Sequence, residues 1–240
     1  MKAAWYEKTG EAQTVLQIGE LDNPVPNKGE VLVKLKTSGI NPSDVKTRAG
    51  ARGELQFPKI IPHSDGAGTI VDVGEGVDKN RIGERVWIWN GAFGRAFGTC
   101  AELISLPEFQ AAKINDSVDF KSAACIGIPA STAYYGIFAN GSVKDKTVLI
   151  SGGAGAVGFY GIQLAKLSGA NVISTISSDE KGEVAQEAGA DKVINYKNED
   201  VVEEIMNYTD NKGVDRIFEV EFGGNLSLIH ISEPTRPRII

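Results

Sequence analysis

The chain has 240 residues, of which 42% are hydrophobic and 23% charged, globular proportions that suit one or two domains with a real core. A net charge of −6 supplies no basic field, so nucleic acid is not an expected partner. No apolar run approaches the roughly 20 residues of a membrane span, and the polar Met1–Gly10 stretch does not read as a signal peptide. The first predicted strand is Lys2–Tyr6, with Val15–Ile18 expected to pair near it. Asn23–Gly29, with two prolines, is turn material. Glu30–Lys36 alternates, Val31, Val33 and Leu35 sharing one face of a half-buried strand. The stretch from Gly39 to Gly50, opening Gly-Ile-Asn-Pro, predicts a short helix. Gly68–Gly74, Arg85–Trp89 and Thr99–Leu106 read as further strands, and many short strands with glycine turns imply a small β-barrel or sandwich.

The pattern changes near Asp119, an N-cap candidate for a helix, and Pro129 suits the first turn of the next. From Thr147 strand and helix alternate. The strands are Thr147–Ile150, Asn171–Ile176, Lys192–Tyr196 and Val214–Val220, with helices near 157–167, 179–188 and 201–208 between them. That is a doubly wound unit with four parallel strands, where the usual fold has six. Cys100 and Cys125 lack CxxC spacing and are expected to be reduced, buried thiols in a cytoplasmic protein.

Gly153-x-Gly155-x-x-Gly158 lies between the first of these strands and its helix, the context the dinucleotide fingerprint requires. The first glycine permits the tight turn. The second admits the pyrophosphate to the backbone, and the third lets helix and strand pack closely. Gly153, Ala154, Gly155, Ala156, Val157 and Gly158 are therefore candidate cofactor residues, holding phosphate on free amides backed by the helix dipole. NAD-selective sites place a carboxylate at the end of the second strand to bind the ribose hydroxyls. Here that strand ends Ser174-Thr-Ile-Ser-Ser. Ser177 and Ser178 can donate to a 2′-phosphate and Lys181 adds positive charge one turn later, so NADPH is expected over NADH, tempered by Asp179 and Glu180. The alternative is that one serine merely caps the helix, with Glu180 completing a capping box.

Leu226–Arg236 (Leu-Ser-Leu-Ile-His-Ile-Ser-Glu-Pro-Thr-Arg) resembles one translated frame of a transposon-end sequencing adapter, and Pro237 fits the same frame. Residues 226–240 are therefore set aside as non-native. The natural chain is expected to stop near Asn225 with its gene continuing, and the chain as written to be poorly soluble or weakly active.

Several collinear stretches resemble the medium-chain dehydrogenase/reductase superfamily, and within it the zeta-crystallin-like quinone oxidoreductases. They are Gly39-Ile-Asn-Pro-Ser-Asp, Asp65-Gly-Ala-Gly-Thr-Ile-Val-Asp-Val-Gly-Glu-Gly-Val, Gly83-Glu-Arg-Val, Ile126-Gly-Ile-Pro-Ala-Ser-Thr-Ala-Tyr, the glycine loop, and Ala188-Gly-Ala-Asp-Lys-Val-Ile-Asn-Tyr. The resemblance implies a GroES-like β-barrel domain over residues 1–120 and an incomplete Rossmann domain, a doubly wound parallel sheet, over 121–225. Two missing strands would leave an exposed edge at Val214–Val220.

Zinc-using relatives carry a cysteine where this chain has Asn41, and a histidine where it has Ser64, with Asp65 following. His63 is displaced by one position from that ligand and reads as a hydrogen-bonded residue at a strand entrance. No metal is expected. Without a Lewis acid the substrate must accept hydride through conjugation, as a quinone or an α,β-unsaturated carbonyl does. Asn41 is a candidate donor to the substrate carbonyl or nicotinamide ribose, or else a capping residue. Lys46 replaces a tyrosine found in several relatives; it contacts phosphate or substrate in one reading and is solvated in the other. Thr132 resembles the residue beside the nicotinamide, its alternative being a hydroxyl bonded to the preceding turn. Tyr196 resembles a position that packs by the adenosine phosphate. The expected function is an NADPH-dependent quinone or enone reductase with a small-molecule substrate. The rivals are an enoyl-thioester reductase and a non-catalytic NADPH-binding structural or sensor protein. Family members are often homodimeric; neither nucleic acid nor membrane is an expected partner.

Overall fold

The computed structural model describes residues 1–220. The adapter-like tail, the end near Asn225 and His230 lie outside the described residues. β1 (Lys2–Trp5) pairs antiparallel with β2 (Gln17–Glu20) across the short helix α1 (Ala12–Val15). β3 (Glu30–Gly39) is long and leads through Asn41 into α2 (Pro42–Arg48), which ends before Gly50 at φ +88°. β4 (Asp65–Val73), β5 (Arg85–Ile88), β6 (Leu103–Pro107) and β7 (Ala111–Lys113) complete a five-stranded antiparallel sheet in the order β6-β3-β4-β5-β7. The strand expected from Thr99 begins only at Leu103, because Thr99 is committed to a side-chain network described below.

β6 and β7 lie on opposite edges of this sheet, yet only residues 108–110 separate them. Five flat strands would hold their edge axes about 19 Å apart, beyond the ~14 Å such a link spans fully extended. The sheet must therefore curl, in line with the barrel expectation. Its interior holds Val31, Val33, Ile70, Val86, Ile88, Ile104 and Leu106, all buried. They are the inward residues of the alternating strands, and each contributes about 1.5–3 kcal/mol by burial.

Asp119 caps α3 (Phe120–Ala123) by accepting from the Lys121 and Ser122 amides, and α4 (Gly127–Phe138) follows. The chain then alternates: β8 (Thr147–Ile150), α5 (Ala156–Leu167), β9 (Asn171–Ile176), α6 (Asp179–Glu187), β10 (Lys192–Asn195), α7 (Val201–Tyr208) and β11 (Arg216–Phe218). All four strands are parallel, in the order β10-β9-β8-β11. Val148, Ile150 and Val172 enter one core while Leu149, Ile173 and Ile194 enter another, so both faces of the sheet are buried. This explains why β8 reads as a continuous apolar run. The contacts divide the chain into two units, Met1–Ile128 and Pro129 onward. The first holds the curled antiparallel sheet and the second the doubly wound parallel sheet.

Cys100 is half-buried, with burial raising its thiol pKa, but Cys125 is exposed, contrary to the expectation of two buried thiols. Cys125 lies just beyond the C-cap of the short helix α3, where Ala123 and Ala124 are the residues that enter the core. Among the described residues no helix is long and apolar enough to cross a membrane.

Candidate functional site

In the second unit, strand order reverses between β8 and β11, the crevice position where open α/β sheets bind ligands. The chain leaves β8 through Ser151–Gly155 into α5. Gly152 takes φ +64°, and the Gly153 amide donates to the Thr175 carbonyl at 3.1 Å, locking the turn against β9. A Cβ on Gly153 would collide with the Ser174 hydroxyl, and one on Gly158 with the Gly152 carbonyl. Gly155 is different. It is the exposed N-cap of α5, offers no capping side chain, and a Cβ there would meet only the Gly152 carbonyl at 3.2 Å. Two glycines thus serve packing, while the third keeps the helix start open to an approaching group. Ala154, Ala156 and Val157 line the same turn, and a cradle of this shape fits a pyrophosphate.

At the end of β9 the two serines separate in role. Ser178 is the N-cap of α6, accepting from the Lys181 amide at 3.4 Å. The third helical residue is then Lys181, so Glu180 completes no capping box. Ser177 remains outside the helix, and its hydroxyl accepts from Lys181 Nζ at 2.8 Å. Asp179, the first residue of α6, accepts from the buried Asn195 amide at 3.2 Å. Tyr196 donates its backbone N–H to the Ile176 carbonyl at the same strand end, with Lys197 Nζ 5.3 Å from its ring centre. Ser177, Lys181, Tyr196 and Lys197 therefore gather hydroxyls and positive charge where β9 and β10 finish. Lys197 was missing from the sequence reading; its adjacency to Tyr196 was the available signal.

The first unit carries a buried polar cluster. Asn41 is the N-cap of α2 and 5% exposed; its backbone N–H donates to the Asp44 carboxylate at 2.8 Å. Its side-chain Nδ2 donates to Asp65 Oδ2, also at 2.8 Å. Asp65, only 1% exposed, accepts the Ile128 amide at its other oxygen, and burial pushes its carboxyl pKa up to about 6. Glycine makes this possible: a Cβ on Gly127 would overlap the Asp65 carboxylate. Asn41 thus combines the two roles open to it, cap and donor, but donates to Asp65. Asp65 itself was unread as a site residue, and an acid opening a glycine-rich strand was its only trace.

Beside this cluster lies a cavity of about 570 Å³ lined by His63, Asp44, Arg52, Tyr6, Phe57 and Phe93, among others. His63 stands at φ +77°, and its Nδ1 lies 2.9 Å from Ser38 Oγ. Burial lowers its pKa and raises that of Asp44, while the two opposite charges counteract both effects. Lys46 and Thr132 stand apart from these networks. Both are exposed, and neither side chain has a hydrogen-bond partner among the described residues; Thr132 is not bonded to the preceding turn.

A zinc ion does not fit this cluster. The Asn41 amide and both Asp65 oxygens are occupied by one another and by Ile128, and His63 Nδ1 faces Ser38. Among the described residues no group of three or more His, Cys, Asp and Glu side chains is placed to hold a metal.

Comparison with known proteins places this architecture. Residues 27–143 match the alcohol dehydrogenase GroES-like domain, and residues 156–223 match the zinc-binding dehydrogenase family. A human quinone oxidoreductase is 29% identical over 228 residues, 95% of this chain and 68% of the relative. The structure of the Escherichia coli quinone oxidoreductase complexed with NADPH superposes with a TM-score of 0.80 at 28% identity, over 94% of this chain and 68% of that one. An NAD-dependent alcohol dehydrogenase structure gives a TM-score of 0.84 at 27% identity, covering 97% and 74%. The chain thus spans about two thirds of the length of the quinone oxidoreductases it matches.

Proposed function

The chain belongs to the medium-chain dehydrogenase/reductase family, among the quinone oxidoreductases, and from that premise we propose that it transfers hydride from NADPH to a quinone or an α,β-unsaturated carbonyl. The observation that carries this reading is the pairing of Asn41 with Asp65. Where zinc-using relatives carry a cysteine and a histidine, this chain has Asn41 and Ser64, and the Asn41 amide is taken up by the neighbouring Asp65 carboxyl. A substrate without an external Lewis acid must spread the developing charge itself, and conjugated carbonyls do so.

NADPH, when bound, supplies the hydride. The chain's own contribution is binding and orientation. The turn at 153–158 would hold the pyrophosphate on the α5 amides, with Gly155 admitting it. Ser177 and Lys181, supported by Tyr196 and Lys197, would take the 2′-phosphate. Asp179 is held by Asn195, and that engagement supports NADPH over NADH. Asn41 would position Asp65 and the start of α2, where its side chain belongs to the capping box with Asp44, leaving its second amide hydrogen for a ligand. Lys46 and Thr132, exposed and unpartnered, are contacts a ligand would have to recruit. Zinc takes no part in the proposed reaction.

The test is NADPH oxidation followed at 340 nm with panels of quinones, enones and enoyl thioesters. Turnover of quinones or enones is expected. Turnover of enoyl thioesters alone would replace the substrate class, and tight NADPH binding without any turnover would favour a non-catalytic role.

A further inference from the structure

The hydrogen-bond directions around His63 follow from the two carbonyls that the Thr99 hydroxyl faces, those of Asp65 and His63. Thr99 has one hydroxyl proton, and it is donated to the Asp65 carbonyl at 2.6 Å, since a carbonyl can only accept. The 2.9 Å contact between Ser38 Oγ and Thr99 Oγ1 must therefore carry the Ser38 proton. Ser38 Oγ has then spent its proton, so at 2.9 Å from His63 Nδ1 it accepts. The relay fixes the proton on Nδ1 and leaves Nε2 as the ring nitrogen that exchanges protons. Nε2 has no hydrogen-bond partner among the described residues, and His63 lines the 570 Å³ cavity. The backbone is strained to φ +77° at this residue, held there by the Thr99 amide on the His63 carbonyl at 2.9 Å. Side chains kept at such a cost cluster at functional sites.

We propose that His63 is the proton-donating residue of the cavity, oriented by Ser38 and Thr99, and that its Nε2 binds the carbonyl oxygen of the acceptor. This rests on the reductase reading above. In the imidazolium form both ring nitrogens donate, Nδ1–H to Ser38 and Nε2–H to the substrate oxygen. Hydride adds to the conjugated acceptor, bringing two electrons, and the reduced nicotinamide is left oxidised. The charge moves to the substrate oxygen, which takes the Nε2 proton to give an enol or hydroquinone. The imidazole that remains is the Nδ1–H tautomer that the relay selects, so the network needs no rearrangement, and Nε2 regains a proton from water after product leaves. The charged and titratable groups around the cavity are Asp44 from α2, Arg52 and Glu54 from the segment after it, Arg95, and Tyr6. Asp44 favours the imidazolium, and burial opposes it. The rate should therefore fall as pH rises through the His63 pKa.

Two measurements test this. The ring-nitrogen NMR spectrum of 15N-histidine-labelled protein should show His63 as the Nδ1–H tautomer when neutral, and Ser38→Ala should abolish that preference. The second uses His63→Asn. Asparagine tolerates positive φ, and its amide can still donate to Ser38, but it has nothing in place of Nε2. This variant should keep its fold and NADPH affinity while losing about 10²-fold in kcat, together with the fall of kcat at rising pH that His63 deprotonation produces. A neutral Nε2–H tautomer, or an H63N variant with parental kcat and pH profile, overturns the proposal. If the parent turns over no quinone or enone, the reductase reading fails, and the NMR tautomer still decides whether His63 is built as described.

Discussion

Asp65→Asn isolates the energetic cost of the buried carboxyl. Burial is the largest influence on Asp65 and raises its pKa from 3.8 to about 6, against the hydrogen bonds from Asn41 and Ile128. A folded-state pKa above the unfolded one means that the folded chain binds the proton more tightly. The stabilisation is then full below about pH 4 and is lost as pH rises through about 6. At about 1.36 kcal/mol per pH unit, the gap corresponds to about 3 kcal/mol. In D65N the Ile128 N–H keeps an oxygen acceptor, and Asn41 can turn its amide end for end to offer oxygen to the introduced NH2. The variant should match the parent near pH 4 and be more stable at pH 8 by up to about 3 kcal/mol. All three tryptophans, Trp5, Trp87 and Trp89, lie in the first unit, so urea unfolding followed by tryptophan fluorescence reports on the right part of the chain. Taking the difference between variant and parent cancels the titrations they share. If D65N is less stable than the parent at pH 8 by about 1 kcal/mol, with the pH dependence unchanged, the anion is a net stabiliser and the burial argument is wrong.

The glycines of the nucleotide turn should separate by role. Gly155→Ala keeps φ −76° and meets only the Gly152 carbonyl at 3.2 Å, so it should leave the melting temperature closer to its parent value than Gly158→Ala does, while weakening NADPH at least about tenfold by calorimetry. Gly158→Ala must displace the Gly152 backbone and should cost about 1–3 kcal/mol in stability even without cofactor. Lys181→Glu should lower the preference for NADPH over NADH by about tenfold or more, read from kcat/KM ratios, through loss of a charged phosphate contact. Arg216 donates to the carbonyls of Ile137, Asn140 and Gly141 at the end of α4, and Arg216→Ala should destabilise the chain by about 2–3 kcal/mol in urea unfolding followed by circular dichroism.

What could be read from sequence divides along the range of the interactions. The parallel sheet and its helices were legible because β8, β9 and α5 carry their instructions locally: apolar runs, a glycine turn, and a left-handed glycine at 189 closing α6. β7 was not, because three residues are too few for alternation to register. The fingerprint glycines were recognised as a set, but only packing shows that Gly153 and Gly158 are needed for steric reasons and Gly155 for access. Asn41 announced itself through the proline that follows it. Its partner Asp65 is 24 residues away, and no local rule joins them. His63 likewise gave no sign of its φ +77° or its relay, both created by the crossing of Ser38, Thr99 and the start of β4. Exposure of Cys125 was equally invisible, since composition alone favours buried thiols.

The short link between β6 and β7 also bears on how the chain folds in time. Neighbouring strands in sequence usually form a hairpin and contribute early, local contacts, but these two pair with β3 and β5 instead. Val31 must find Leu106, whereas in the second unit Val148 needs only to reach Val172 across a single helix. Loop-closure entropy is lost before such distant pairings return any free energy, so the curled sheet should assemble more slowly than the parallel one. The nucleotide turn can then be formed while β3 is still exposed. During that interval its long apolar face is the part of the molecule most open to misassembly.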